Sequence, residues 1–159
     1  MTRLQDMSEP ELDSWVTFIA DALVFAWFWK TMAPGWSLTP DAFTPEQLGQ
    51  VFLTLVIITI VFHIIIRLFF EIRRRDAAIE HDERDDLIQS ASSKLAYGVL
   101  QFGAGFIGVV GLLSYIGGVD YVAPLRIDTP VQYVFSIVVA SYVASLGRHV
   151  SAIIRYGAT

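Results

Sequence analysis

At 159 residues the chain is long enough for one domain, but its 54% hydrophobic and 17% charged residues depart from a soluble domain's ~45–50% and ~25%. It contains no cysteine, which excludes disulfides, thiolate catalysis and cysteine-based metal sites. The net charge of −5 argues against nucleic acid as a partner.

A helix needs ~20 mostly apolar residues to cross the hydrocarbon core of a bilayer, and four segments come close to that length. Ser8-Glu9-Pro10-Glu11 reads as the start of a short helix leading into the first span, residues 15–32, which ends at Pro34-Gly35. Acidic residues (Asp6, Glu9, Glu11, Asp13) outnumber the lone Arg3, and Trp27, Phe28 and Trp29 occupy the place of a small-residue cleavage site. A retained span is therefore expected, not a cleaved signal.

The second span covers residues 48–70 and starts at Thr44-Pro45-Glu46-Gln47. Thr caps the helix, Pro takes the first position where its missing N–H costs nothing, and Gln reaches back to the cap. The run from Leu55 to Phe62 is β-branched apart from a few positions, yet a lone strand cannot satisfy its backbone in lipid, so helix is expected.

Between Gln50 and Tyr97 there is no Gly or Pro, so the second helix is expected to continue beyond the membrane. Glu71–Arg75 and Glu80–Arg84 are i,i+4 pairs in the favourable orientation. The chain is expected to reverse at residues 80–86, with Asp82 as the next cap and Asp85 completing the box. Ile72, Ile79, Leu87 and Ile88 are expected to pack as a small cytoplasmic hairpin. The third span, residues 95–116, stops at Gly117-Gly118, and the fourth, residues 131–154, opens with Thr129-Pro130-Val131-Gln132. Spans two and four thus share one start signal.

The expected fold is all-α: a single transmembrane domain over residues 1–159 with four helices as two antiparallel hairpins. A helical cytoplasmic connection over residues 71–94 joins the second helix to the third. Nine of the eleven Lys and Arg residues fall on the side of the termini and the middle connection, against Lys30 and Arg126 on the other. That bias places both termini in the cytoplasm. Trp15, Trp27, Trp29, Trp36, Tyr121 and Tyr156 fall near expected interfaces, where amphipathic rings settle.

Asp82-Glu83-Arg84-Asp85-Asp86-Leu87-Ile88, followed by Ala91, Lys94 and Ala96-Tyr97 at the start of a span, resembles a signature of small multi-spanning prokaryotic membrane proteins. That family has no established function. The resemblance implies the prokaryotic cytoplasmic membrane and supports the four-span layout, and it implies no activity.

An ionisable group inside a span costs ~2.5–3.5 kcal/mol on insertion scales and is a functional candidate by default. Asp21 lies about six residues past Trp15, roughly 9 Å deep at ~1.5 Å per residue. Counted inward from the same side, His63, Gln101 and Ser141 fall at similar depth, and Arg67 lies one turn from His63. The expected arrangement is a buried polar layer in which Asp21 accepts from His63 or Arg67, with Gln101 and Ser141 completing it. Such a carboxylate–imidazole pair can carry a proton or bind a cation. The leading reading of these residues is nevertheless structural: Asp21 and Arg67 neutralise each other and set helix register, or Asp21 lies shallow and meets water. His149, beside Arg148, is expected at the cytoplasmic interface, and the acidic run at residues 80–86 is read as a solvated capping turn. No metal site, cofactor or catalytic residue is expected.

Helices in lipid associate where small residues allow close approach. Ala104, Gly108 and Gly111 form such a stripe on span three, and Ser136, Ala140 and Ala144 form one on span four. These two spans are expected to pack closely, within the chain or between subunits, while the bulky second span faces lipid. The leading functional expectation is a non-enzymatic accessory or assembly subunit, or a small homo-oligomer, with lipid and other membrane subunits as partners. The alternative is a small proton- or ion-coupled transporter or channel subunit built on Asp21, His63 and Arg67.

Overall fold

The computed structural model describes residues 8–76, 83–116 and 127–158, with residues 73–76 as helical backbone only. Its regular elements are all helical: α1 (Glu9–Met32), a 3-10 turn (Pro34–Trp36), α2 (Pro45–Asp76), α3 (Glu83–Ile116) and α4 (Pro130–Gly157). Each of the four α-helices is long and apolar enough to cross a membrane.

The helix starts follow the side-chain chemistry. Thr44 Oγ1 accepts from the Gln47 amide at 3.3 Å, and Gln47 Oε1 accepts from the Thr44 amide at 3.0 Å. Thr129 and Gln132 repeat that reciprocal pair at 3.3 and 3.1 Å, and Gln132 Oε1 also takes the Asp128 amide at 2.9 Å. Ser8 caps α1 through the Glu11 amide. Among the described residues no separate short helix precedes the first span. Pro10 sits in the first turn, where it breaks nothing, so α1 runs unbroken from Glu9 to Met32.

The end of α1 is tied back. Gly35 and Trp36 take left-handed φ values of 76° and 62°, and the Trp36 backbone carries a steric cost there that Gly35 does not. The Trp29 indole N–H donates to the Ser37 carbonyl at 3.1 Å. The Asp41 amide donates to the Met32 carbonyl at 2.8 Å, so the connection folds over the fully buried Met32.

Helix α2 extends to Asp76 and α3 begins at Glu83, both beyond the expected span limits. Ile79 and the expected cap Asp82 lie outside the described residues, as do Tyr121, Arg126 and Gly117-Gly118. The small hairpin core expected of Ile72, Leu87 and Ile88 does not form. Ile72 and Leu87 are exposed, and Ile88 packs against Ala152 and Tyr156 of α4. The reason is geometric: Ile88 shares a face with Ser92, one turn on, whose hydroxyl donates to Ser151 of α4 at 3.3 Å.

Helix α4 packs against both α1 and α3, and α2 rests mainly on α1. The central core joins Val24, Phe28 and Met32 of α1 to Leu55 of α2 and to Phe135, Val138 and Tyr142 of α4. It is largely aromatic. Phe28 stacks on Phe135 with centroids 5.8 Å apart, Trp29 meets Phe135 edge-on at 5.3 Å, and Phe25 stacks on Tyr142 at 5.4 Å. Helix α2 turns Phe52, Leu53, Ile57, Ile64, Ile65 and Leu68 outward. In water so large an apolar surface would drive association, whereas in lipid it needs no cover.

The α3–α4 contact corrects the expected small-residue stripe. Gly111 does face α4, where an added Cβ would run into the Tyr133 ring. Ala104 is exposed, and nothing lies within 4 Å of where a Gly108 Cβ would be. The residue that meets α4 is Gly103, whose added Cβ would sit 3.0 Å from the Ala140 Cβ. Ile107 and Val110 fill the same contact with Ile127 and Ala140. The facing stripe is therefore Gly103-Ile107-Gly111, one residue and so about 100° around the helix from Ala104-Gly108. On α4, Ala144 is buried and Ser136 half-buried.

Candidate functional site

Three helices converge on Asp21. The α1 face that carries Thr17, Ala20, Asp21, Val24 and Phe28 is buried, so the carboxylate points into the bundle by the same periodicity that buries Phe28. Asp21 is 4% exposed. The Ser145 hydroxyl of α4 donates to its Oδ2 at 2.5 Å. His149 Nε2, one turn further along α4, lies 3.9 Å from the same oxygen, and His63 Nε2 of α2 lies 3.8 Å from Oδ1. One buried carboxylate thus holds two imidazoles within ion-pair range, each on a different helix.

The orientation of His63 is fixed by its other nitrogen. His63 Nδ1 lies 2.8 Å from the Thr59 carbonyl oxygen, which can only accept, so Nδ1 carries the hydrogen. In the neutral ring Nε2 is then a lone pair directed toward Asp21. A proton added at Nε2 arrives 3.8 Å from the carboxylate, which is ion-pair range and longer than a direct hydrogen bond. Thr59 also fixes the neighbouring layer, its hydroxyl 2.8 Å from the Tyr142 hydroxyl across α2 and α4.

Two cavities meet at this cluster. The first, about 630 Å³, runs between the N-terminal parts of α1 and α3 and the C-terminal parts of α2 and α4. Its wall carries Asp13, Arg67, Glu71, Gln89 and Arg148, and His63, Ser145 and His149 border it. Arg148 reaches Gln89 at 3.4 Å, and Gln89 reaches Ser14 at 3.4 Å. The second, about 530 Å³, is an apolar cleft between α2 and α4 lined by Phe52, Val56, Ile60, Ile137 and Tyr142. Asp21 borders the cleft, whereas His149 borders the polar cavity, and His63 and Ser145 border both. On the other side of Asp21 the interior is the aromatic core of Phe25, Phe28, Trp29 and Phe135.

Of the residues expected in the polar layer, the structure brings together Asp21 and His63. Arg67 lines the polar cavity and forms no ion pair with Asp21 among the described residues, because it lies one turn, about 6 Å, further along α2. Gln101 is exposed on α3, and its amide donates to the Tyr97 hydroxyl of the same helix at 2.8 Å. It stands two positions from Gly103, on the far side of α3 from α4, and among the described residues α3 packs chiefly on α4. Ser141 is exposed and donates to the Ile137 carbonyl of its own helix at 2.8 Å, although it lines the apolar cleft.

The residues missed are Ser145 and His149. His149 was expected at an interface, yet it is 8% exposed and turned toward Asp21. A signal for it exists in the sequence. Val138, Tyr142, Ser145, His149 and Ala152 recur at three- and four-residue intervals, which places His149 on the buried face of α4. Among the described residues no group of three His, Asp or Glu side chains is arranged to hold a metal ion. No family model, no curated protein and no solved structure matches the chain.

Proposed function

We propose that the chain is a multi-pass protein of the prokaryotic cytoplasmic membrane, two antiparallel helical hairpins with both termini cytoplasmic, and that it works without enzymatic activity through reversible protonation at Asp21. The observation that carries this reading is the buried carboxylate held between His63 and His149, two imidazoles that border a polar cavity. An intramembrane carboxylate is costly to bury. Two imidazoles on separate helices stand 3.8 and 3.9 Å from it, each a group able to take or give a proton. The charged walls of the cavity provide a route for protons from the end of the bundle that the Lys and Arg distribution assigns to the cytoplasm.

The aromatic core beyond Asp21 closes the bundle on the opposite side, so a lone copy exchanges protons with one side only. Passage across the membrane would need a second copy or another subunit. This favours a second reading, an accessory subunit or small homo-oligomer, which the outward-facing Ala104 and Gly108 of α3 also support. Small residues on a lipid-facing surface allow a neighbouring helix to approach closely.

Infrared difference spectroscopy of the full chain in lipid nanodiscs tests the protonation reading. A carboxyl carbonyl band that appears as pH falls, and that is missing in Asp21→Asn, is the expected result. A spectrum in which no such band titrates, or in which the variant keeps it, overturns the reading.

A further inference from the structure

The apolar cleft between α2 and α4 has a lining that does not suit lipid tails alone. Its lining includes the buried Asp21, the exposed His63 and the hydroxyls of Thr59, Ser141 and Ser145. Its outer rim is Phe52, Val56, Ile60 and Ile137, all exposed on surfaces that face the bilayer. A molecule entering from the membrane would pass apolar walls and meet one carboxylate. The volume of about 530 Å³ lies in the ~300–1,000 Å³ range of small-molecule sites. Such a cleft favours an occupant with an apolar body, which partitions into lipid, and a single positive charge, which the carboxylate takes up.

The two cavities divide the traffic. Asp21 borders the cleft and His149 borders the polar cavity, while His63 and Ser145 border both. We propose that the cleft is a binding site for a lipophilic monovalent organic cation, reached sideways from the membrane, and that the cation displaces a proton from the Asp21 cluster into the polar cavity. The inference rests on the protonation reading above and adds a ligand class to it. The exchange balances in charge: one cation enters, one proton leaves the Asp21–His63–His149 cluster, and no covalent bond changes other than that to the proton.

The test uses tetraphenylphosphonium as the probe and the full chain in lipid nanodiscs. Saturable binding near one probe per chain is expected, with an apparent affinity that rises by up to about tenfold per pH unit while the cluster is protonated. In weakly buffered solution about one proton should be released per probe bound. Asp21→Asn should abolish the saturable component. Because that variant could disturb folding, Ile60→Trp provides the control. It fills the cleft from the rim, and it should weaken probe binding while the Asp21 carbonyl band still titrates.

Equal probe uptake by the unaltered chain, Asp21→Asn and protein-free nanodiscs would show bilayer partition alone and overturn the proposal. So would saturable binding that neither depends on pH nor releases protons. If the carbonyl band titrates and the probe does not compete, the ligand assignment fails and the protonation reading stands. If the band does not titrate at all, both fail.

Discussion

Ser145 Oγ lies 2.5 Å from Asp21 Oδ2, the shortest side-chain link between α1 and α4 among those described. Among the described residues it is the one partner that holds the carboxylate by a direct hydrogen bond, since both imidazoles stand at 3.8–3.9 Å. Ser145→Ala is expected to destabilise the bundle by about 1–2 kcal/mol, between the ~0.6 kcal/mol average for hydrogen bonds in lipid and the ~1.5–3 kcal/mol of charged ones. Unfolding of the purified protein in mixed micelles measures this. A loss below a few tenths of a kcal/mol would mean that water replaces the serine at Asp21.

Gly103 and Gly108 separate two kinds of small residue on α3. Gly103→Val is expected to cost about 1–3 kcal/mol, because the Ala140 Cβ opposite is held by backbone and cannot rotate away. Gly108→Val meets open space and should leave the folded monomer unaffected. If α3 contacts another subunit through Ala104 and Gly108, the same change lowers the native mass without lowering monomer stability. Light scattering beside the unfolding assay distinguishes the two effects.

Phe28 is 1% exposed and stacked on Phe135, at the centre of the layer that closes the bundle beyond Asp21. Phe28→Ala is expected to cost about 2 kcal/mol, less than the ~3–5 kcal/mol of a water-soluble core. The reduction has a physical reason: lipid is as apolar as the protein interior, so only the lost packing and the cavity remain. Phe102→Ala, at a position 77% exposed, should be neutral in the same assay.

The absence of native cysteine makes the orientation directly testable. Leu38→Cys lies in the connection after α1 and Ala158→Cys lies just past α4, and both positions are exposed. A membrane-impermeant maleimide applied to intact cells should label the first and not the second. Labelling of the second without permeabilisation would reverse the assigned topology.

The sequence alone determined the four long helices, because their extent depends on local chemistry: apolar length, Thr-Pro-x-Gln starts, and Pro34-Gly35 at the end of α1. It also singled out Asp21 and His63, since a charge in an apolar run is visible without knowing its neighbours. What it could not determine was the rotation of each helix about its axis relative to the others. One residue is about 100°, so counting from Ala104 instead of Gly103 turned the wrong face toward α4, and comparing depths alone grouped Gln101 and Ser141 with Asp21. Only the tertiary structure, by packing α4 between α1 and α3, brought Ser145 and His149 to the carboxylate, left Gln101 on the outer face of α3, and placed His63 and Ser145 between a polar cavity and the apolar cleft that Asp21 borders.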